Sequence, residues 1–227
     1  MRGLTESGDK AVNCGSQPHR VLPPSVTTAR VWMAIVLTSL ALAGCGGTVM
    51  HPDLETANGV RPVFLLEHGR HSSLVLTRTD GSMVRYVYGD WRWYAEGETG
   101  IRRAVPTLFA ATGSALGRQA LSAPSTETSI RRQVPMAIRN IHRLPAPAER
   151  IDGLDHRLQR DFERLQGQSH YNAAYDLEFV PGQRPYTLFA NSNHVVADWL
   201  RELGIEVRGN PVFGSWQVES DNSAQAE

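Results

Sequence analysis

Cysteine is almost missing from this chain of 227 residues: Cys14 and Cys45 are the only two, and both lie in its first fifth. The body downstream of Cys45 can therefore form no internal disulfide, no CxxC redox pair, no cysteine-ligated zinc site and no thiolate nucleophile. Net charge is missing too. With 23 basic and 23 acidic side chains, nucleic-acid binding has no global electrostatic support. No apolar run reaches the roughly 20 residues that a membrane-crossing helix needs, and no internal repeat or low-complexity tract is present. What the chain does have, 41% hydrophobic and 20% charged residues, fits one ordinary globular domain with its own core.

The longest apolar run, 31–43 (VWMAIVLTSLALA), is uncharged and follows Arg30, the layout of a secretory signal. Glycines on both sides of Cys45 end it. The junction Leu42, Ala43, Gly44, Cys45 resembles the lipobox of bacterial lipoproteins, in which small residues precede a cysteine that becomes the lipidated N-terminus. That resemblance implies a signal peptide over 1–44 and a membrane partner engaged through acyl chains on Cys45. Each buried methylene is worth about 0.8 kcal/mol, so two or three chains anchor where one does not. Gly46 stands where an inner-membrane retention signal usually places Asp, which implies an outer-membrane lipoprotein facing the periplasm. Residues 45–60 read as a polar tether, 61–218 as the folded domain and 219–227 as a frayed tail.

Within the domain, 63–67 (VFLLE), 73–77 (SLVLT) and 83–88 (MVRYVY) are β-rich runs separated by turn residues, the pattern of an antiparallel meander. The segment 130–141 is expected to be a further strand, with Pro135 restricting it to an edge or a bulge. Ile151, Leu154, Leu158, Phe162 and Leu165 recur at helical steps and predict a helix over 150–166. A last helix is expected over 193–203, with Val196, Trp199, Leu200 and Leu203 on one face, Gly204 as its stop, and Asn191 or Ser192 as N-cap. This order predicts an α+β fold, an antiparallel sheet with packed helices.

Two segments stand out as chemistry: His68 to Leu76 (HGRHSSLVL) and Asn191 to Leu200 (NSNHVVADWL). With the aromatic run 88–94 (YGDWRWY) they resemble circularly permuted papain-like domains of the NlpC type, including the lecithin:retinol acyltransferase group. A set of bacterial lipoproteins with a GxH strand, a GDWxWY segment and a C-N-x-W-x-A helix is more similar still. In such domains a histidine opens an early strand and a nucleophilic cysteine starts a later helix. The resemblance implies a permuted papain-like fold over roughly 62–218, with His71 as the strand histidine. The cysteine position falls on Ser192.

That replacement opens two readings. As an enzyme, the domain is a hydrolase or acyltransferase acting on an amide or ester. Ser192 is then the nucleophile, His71 the base, Asp90 the orienter, and the helix N-terminus the oxyanion site. As a binding module, it is catalytically silent and holds an envelope ligand, a peptidoglycan stem peptide or a lipid. Serine loses the activation that a helix N-terminus gives a thiol, and it is also a good N-cap, so the missing cysteine favours the second. Trp91, Trp93 and Tyr94 either close the sheet or line a ligand groove, and Asn193 and His194 complete the candidate binding set. No cofactor motif is present. His68 and His71 lie across a glycine turn rather than on one helix face, which argues against a metal pair.

Overall fold

Strands that are apolar on both faces belong in a sheet covered on both sides, and the runs around 63–67 and 73–77 build such a sheet. The computed structural model describes residues 31–32, 46–52, 54–55, 57–97, 111–187 and 190–219. The chain divides into two units, Met1–Leu40 and Ala41–Glu227. Of the first, residues 31 and 32 are described, and both are helical. The rest of the expected signal peptide, Cys45, and the tail from 220 onward lie outside the described residues.

The second unit is α+β. Its main sheet contains β2 (Val60–Glu67), β3 (Ser72–Thr77), β4 (Met83–Asp90), β5 (Ser114–Leu121), β6 (Asn140–Pro147), β7 (His170–Asn172) and β8 (Leu177–Pro181). Their order is β6-β2-β3-β4-β5-β8-β7, antiparallel throughout. Alternation sorts the side chains. Leu65, Leu74, Leu76, Val84 and Tyr86 face a core shared with α3 (Ala148–Arg164) and α4 (Ser192–Glu202). Phe64, Leu66, Val75 and Met83 face the other way, onto Ile130 and Val134. Further along this second face, Val87, Ala115 and Phe179 pack against Tyr94 of the short helix α1 (Trp91–Tyr94). The expected stripe on α3 is buried through Ile151, Leu154, Leu158 and Phe162.

Two expectations fail. Residues 130–141 are not a strand: α2 (Glu127–Gln133) occupies the first part, and β6 starts at Asn140. Thr126 caps α2 by accepting the Ser129 N–H at 3.2 Å. Ile130 and Val134 then share a face at helical spacing, and Pro135 forces Val134 to extended backbone, which stops the helix. The supposed tether is also not free. Gly47–Val49 forms β1, which pairs parallel with β10 (Trp216–Val218) and antiparallel with β9 (Val207–Gly209). Val49 is 0% exposed and belongs to the α3/α4 core. A side chain at 47 would collide with the Trp216 ring at 2.9 Å, so glycine is required by the close approach of the two strands.

Candidate functional site

His68 N–H donates to the His71 carbonyl at 2.8 Å, closing a turn in which Gly69 has φ +94°. The turn delivers His71 to the mouth of β3. Opposite stands the start of α4. Asn191, not Ser192, is the N-cap: its side-chain oxygen accepts the N–H groups of Asn193 at 3.0 Å and His194 at 3.3 Å. Ser192 becomes the first helical residue with its hydroxyl left over for another partner, and that hydroxyl lies 3.2 Å from His71 Nδ1. The two residues singled out 121 positions apart therefore meet. Removing the cap by Asn191→Ala should cost about 1–2 kcal/mol, read as a lower urea midpoint, because the first-turn N–H groups lose their acceptor.

The pair is walled in. Ser192 is 1% exposed. Tyr94 presents its ring edge-on to His71, with centroids 5.4 Å apart at 88°. The Tyr186 phenol lies against both the hydroxyl and the backbone N–H of Ser192. Tyr186 is held there by paired backbone bonds with Thr112, at 2.9 and 3.0 Å. Burial, reinforced by the charge of Arg70, lowers His71 from 6.5 to about 4, so its imidazole is neutral at neutral pH. In the tautomer with the proton on Nε2, Nδ1 is free to accept the Ser192 O–H.

Asp90 does not orient His71. Its carboxylate caps α1, accepting the Trp93 N–H at 2.9 Å, and its other oxygen accepts the Thr112 hydroxyl. A helix starts immediately after Asp90, and its free Trp93 N–H together with the Thr112 hydroxyl claims the carboxylate. Among the described residues no carboxylate bonds His71. Trp91 and Trp93 are half-buried at the rim of the Tyr94 cluster, where Trp91 Nε1 donates to Glu96 at 2.9 Å, while Tyr94 itself is core. Asn193, 0% exposed, ties three segments together: its amide nitrogen donates to the carbonyls of Arg70 at 2.9 Å and Val212 at 3.1 Å. His194 bonds Asn191 at 2.9 Å and Asn210 at 2.7 Å. Both are positioning residues for the 210–214 loop rather than groove walls.

Behind the turn, on the second face of the sheet, His68 joins a buried polar network. Its Nδ1–H donates to the Ala137 carbonyl at 3.0 Å, and Nε2 accepts from the Ser73 hydroxyl at 2.9 Å and from Arg85 at 3.4 Å. Arg85 also donates to Ser73 and Gln119, both at 3.1 Å. Burial beside Arg85 lowers His68 to about 4. Sequence reasoning passed over Tyr186, Thr112 and the 210–216 loop. Nothing in the run around Tyr186 marks it, since its role comes from pairing with residue 112 across the chain.

A cleft of about 150 Å³ lies between α3, α4 and residues 181–184, floored by Tyr88, Leu116, Leu158, Val195 and Trp199. Tyr88 stacks on Tyr186, 6.5 Å between centroids, and Ser192 does not line the cleft. No helix among the described residues is long and apolar enough to cross a membrane. No family model, curated protein or solved structure matches the chain.

Proposed function

We propose that this chain is an envelope lipoprotein whose domain is a permuted papain-like fold with a degenerate site, holding a cell-envelope ligand without efficient turnover. The observation that carries the reading is the pairing of Ser192 with His71 at 3.2 Å in a setting where the hydroxyl is 1% exposed. An imidazole that titrates near 4 accepts a proton with about 3 kcal/mol less driving force than one at 6.5. Among the described residues no carboxylate stands behind it to stabilise the imidazolium, and the Tyr186 phenol lies against the Ser192 N–H that would hold an oxyanion. The same 3.2 Å contact at a helix start supports the second reading, a serine-dependent amide or ester hydrolase or acyltransferase.

Fluorophosphonate treatment of the wild type separates the two. No adduct on Ser192 is expected by peptide mass spectrometry, and an adduct that disappears in Ser192→Ala overturns the binding reading. The geometry has its own test in Ser192→Cys, with Cys14 and Cys45 replaced by Ser. The thiol should ionise, read by thiolate absorbance at about 240 nm, at a pH below the ordinary value of about 8.5, and His71→Ala should remove that lowering. A profile indifferent to His71 would remove the permuted papain-like reading along with the pair.

A further inference from the structure

The chain next to Cys45 is fixed in place. Gly47 N–H donates to the Ser215 carbonyl at 2.9 Å, and the Gly46 carbonyl accepts the Asn210 N–H at 3.1 Å. Cys45 is one residue away, so any anchor attached there leaves the domain between the two ends of the 210–215 loop, with almost no slack. The loop carries Phe213, 44% exposed between the half-buried Val212 and the buried Gly214. Its inner side belongs to the site. The Asn193 amide bridges the Val212 and Arg70 carbonyls, and a side chain on Gly214 would meet the Arg70 backbone at 3.1 Å. At the same turn stand two exposed cations. Arg70 precedes His71, and the Arg139 guanidinium lies 3.6 Å from where a Gly69 side chain would begin. Neither makes an ion pair with a carboxylate among the described residues.

An anchor exit, an exposed aromatic tip and two uncompensated arginines thus share the end of the domain that carries His71. We propose that this end lies flat against an anionic lipid surface, with Phe213 entering the headgroup region and Arg70 and Arg139 meeting lipid phosphates. The inference rests on the reading of Cys45 as the lipid attachment point. Physically, a long flexible tether would let the domain tumble above the bilayer, whereas a one-residue exit selects one face. An aromatic side chain stabilises an interfacial position, and each basic residue near an anionic leaflet is worth roughly fivefold in association. The β3–β4 turn at Asp80–Gly81, at the other end of β3 from His71, stays in water.

Hydrogen exchange read by mass spectrometry tests this on the full chain isolated from cell envelopes and placed in vesicles of phosphatidylethanolamine and phosphatidylglycerol. Amides in 208–215 should exchange about tenfold more slowly than in the Phe213→Ser/Arg139→Gln variant, while those in 78–82 should not differ. The wild type alone gives an independent comparison: protection of 208–215 should fall when phosphatidylcholine replaces the anionic lipid. The mass of the N-terminal peptide reports separately whether Cys45 is acylated. Acylated protein with no protection of 208–215 overturns the facing and leaves the anchor standing. Unacylated protein that still protects 208–215 on added vesicles supports the facing and removes the anchor. Unacylated protein with no protection overturns both.

Discussion

Lowering the pH from about 6.5 to 4 should remove about 6 kcal/mol of stability from the folded domain. Two histidines supply the effect. His68 and His71 are both held near 4 in the fold, chiefly by burial, against 6.5 for a free imidazole. The unfolded chain takes up both protons as the pH drops through 6.5, while the folded chain resists until about 4, so acid favours the unfolded state. Stability is complete above 6.5, declines through this window and levels off below it, with about 3 kcal/mol lost per histidine. A protonated His68 would set a second charge 3.4 Å from the Arg85 guanidinium and displace the Ser73 hydroxyl hydrogen. Because natural domains hold only about 5–15 kcal/mol, unfolding near pH 4 to 5 at room temperature is the expected outcome. Urea midpoints at pH 7.5, 5.5 and 4.5 measure it, and the double variant His68→Gln/His71→Asn should flatten the profile. A midpoint independent of pH in the wild type would mean that neither imidazole is buried as described.

The second large effect is in the helix that positions Ser192. Trp199 is 4% exposed and packs edge-on against Tyr86, with ring centroids 6.4 Å apart. Trp199→Ala deletes the largest side chain joining α4 to β4, and the cost should be about 3–5 kcal/mol, transfer and cavity together. Leu200→Met, a volume-conserving change at a fully buried neighbour, should cost less than about 1.5 kcal/mol. Chemical denaturation separates the two easily. Equal midpoints for Trp199→Ala and wild type would place α4 with a different face on the sheet.

How much of this was legible in the sequence depends on the range of the interaction that fixes each element. The stripe on α3, the meander of β2 to β4 and the last helix are written in local periodicity, and their residues read directly. The short helix α2 was legible in principle through the Thr126 cap and the Ile130/Val134 spacing, but apolar residues on either side of Pro135 imitate a strand. The segment of β5 (SALGRQAL) has no β-branched residue and a glycine at its centre. Gly117 is there because the Phe179 ring of a neighbouring strand fills its side-chain space, 2.5 Å from a would-be Cβ. The meeting of His71 and Ser192 was legible only through family resemblance. The role of Asp90 was misread because a carboxylate beside a histidine motif and a carboxylate at a helix start look alike until the helix is seen.

The small sheet of β1, β9 and β10 bears on how the chain acquires its structure over time. Gly47 pairs with Trp216, about 170 residues later, so this contact has nearly the largest separation the domain offers and must close late in folding. Synthesis proceeds from the N-terminus, and β1 therefore emerges without either of its partner strands. Until residues 207–218 follow, Val49 has no core to enter and the backbone groups of 47–49 are bonded to water. A chain released before Trp216 should be a substrate for proteolysis at residues 47–49, even with the seven-stranded sheet already formed.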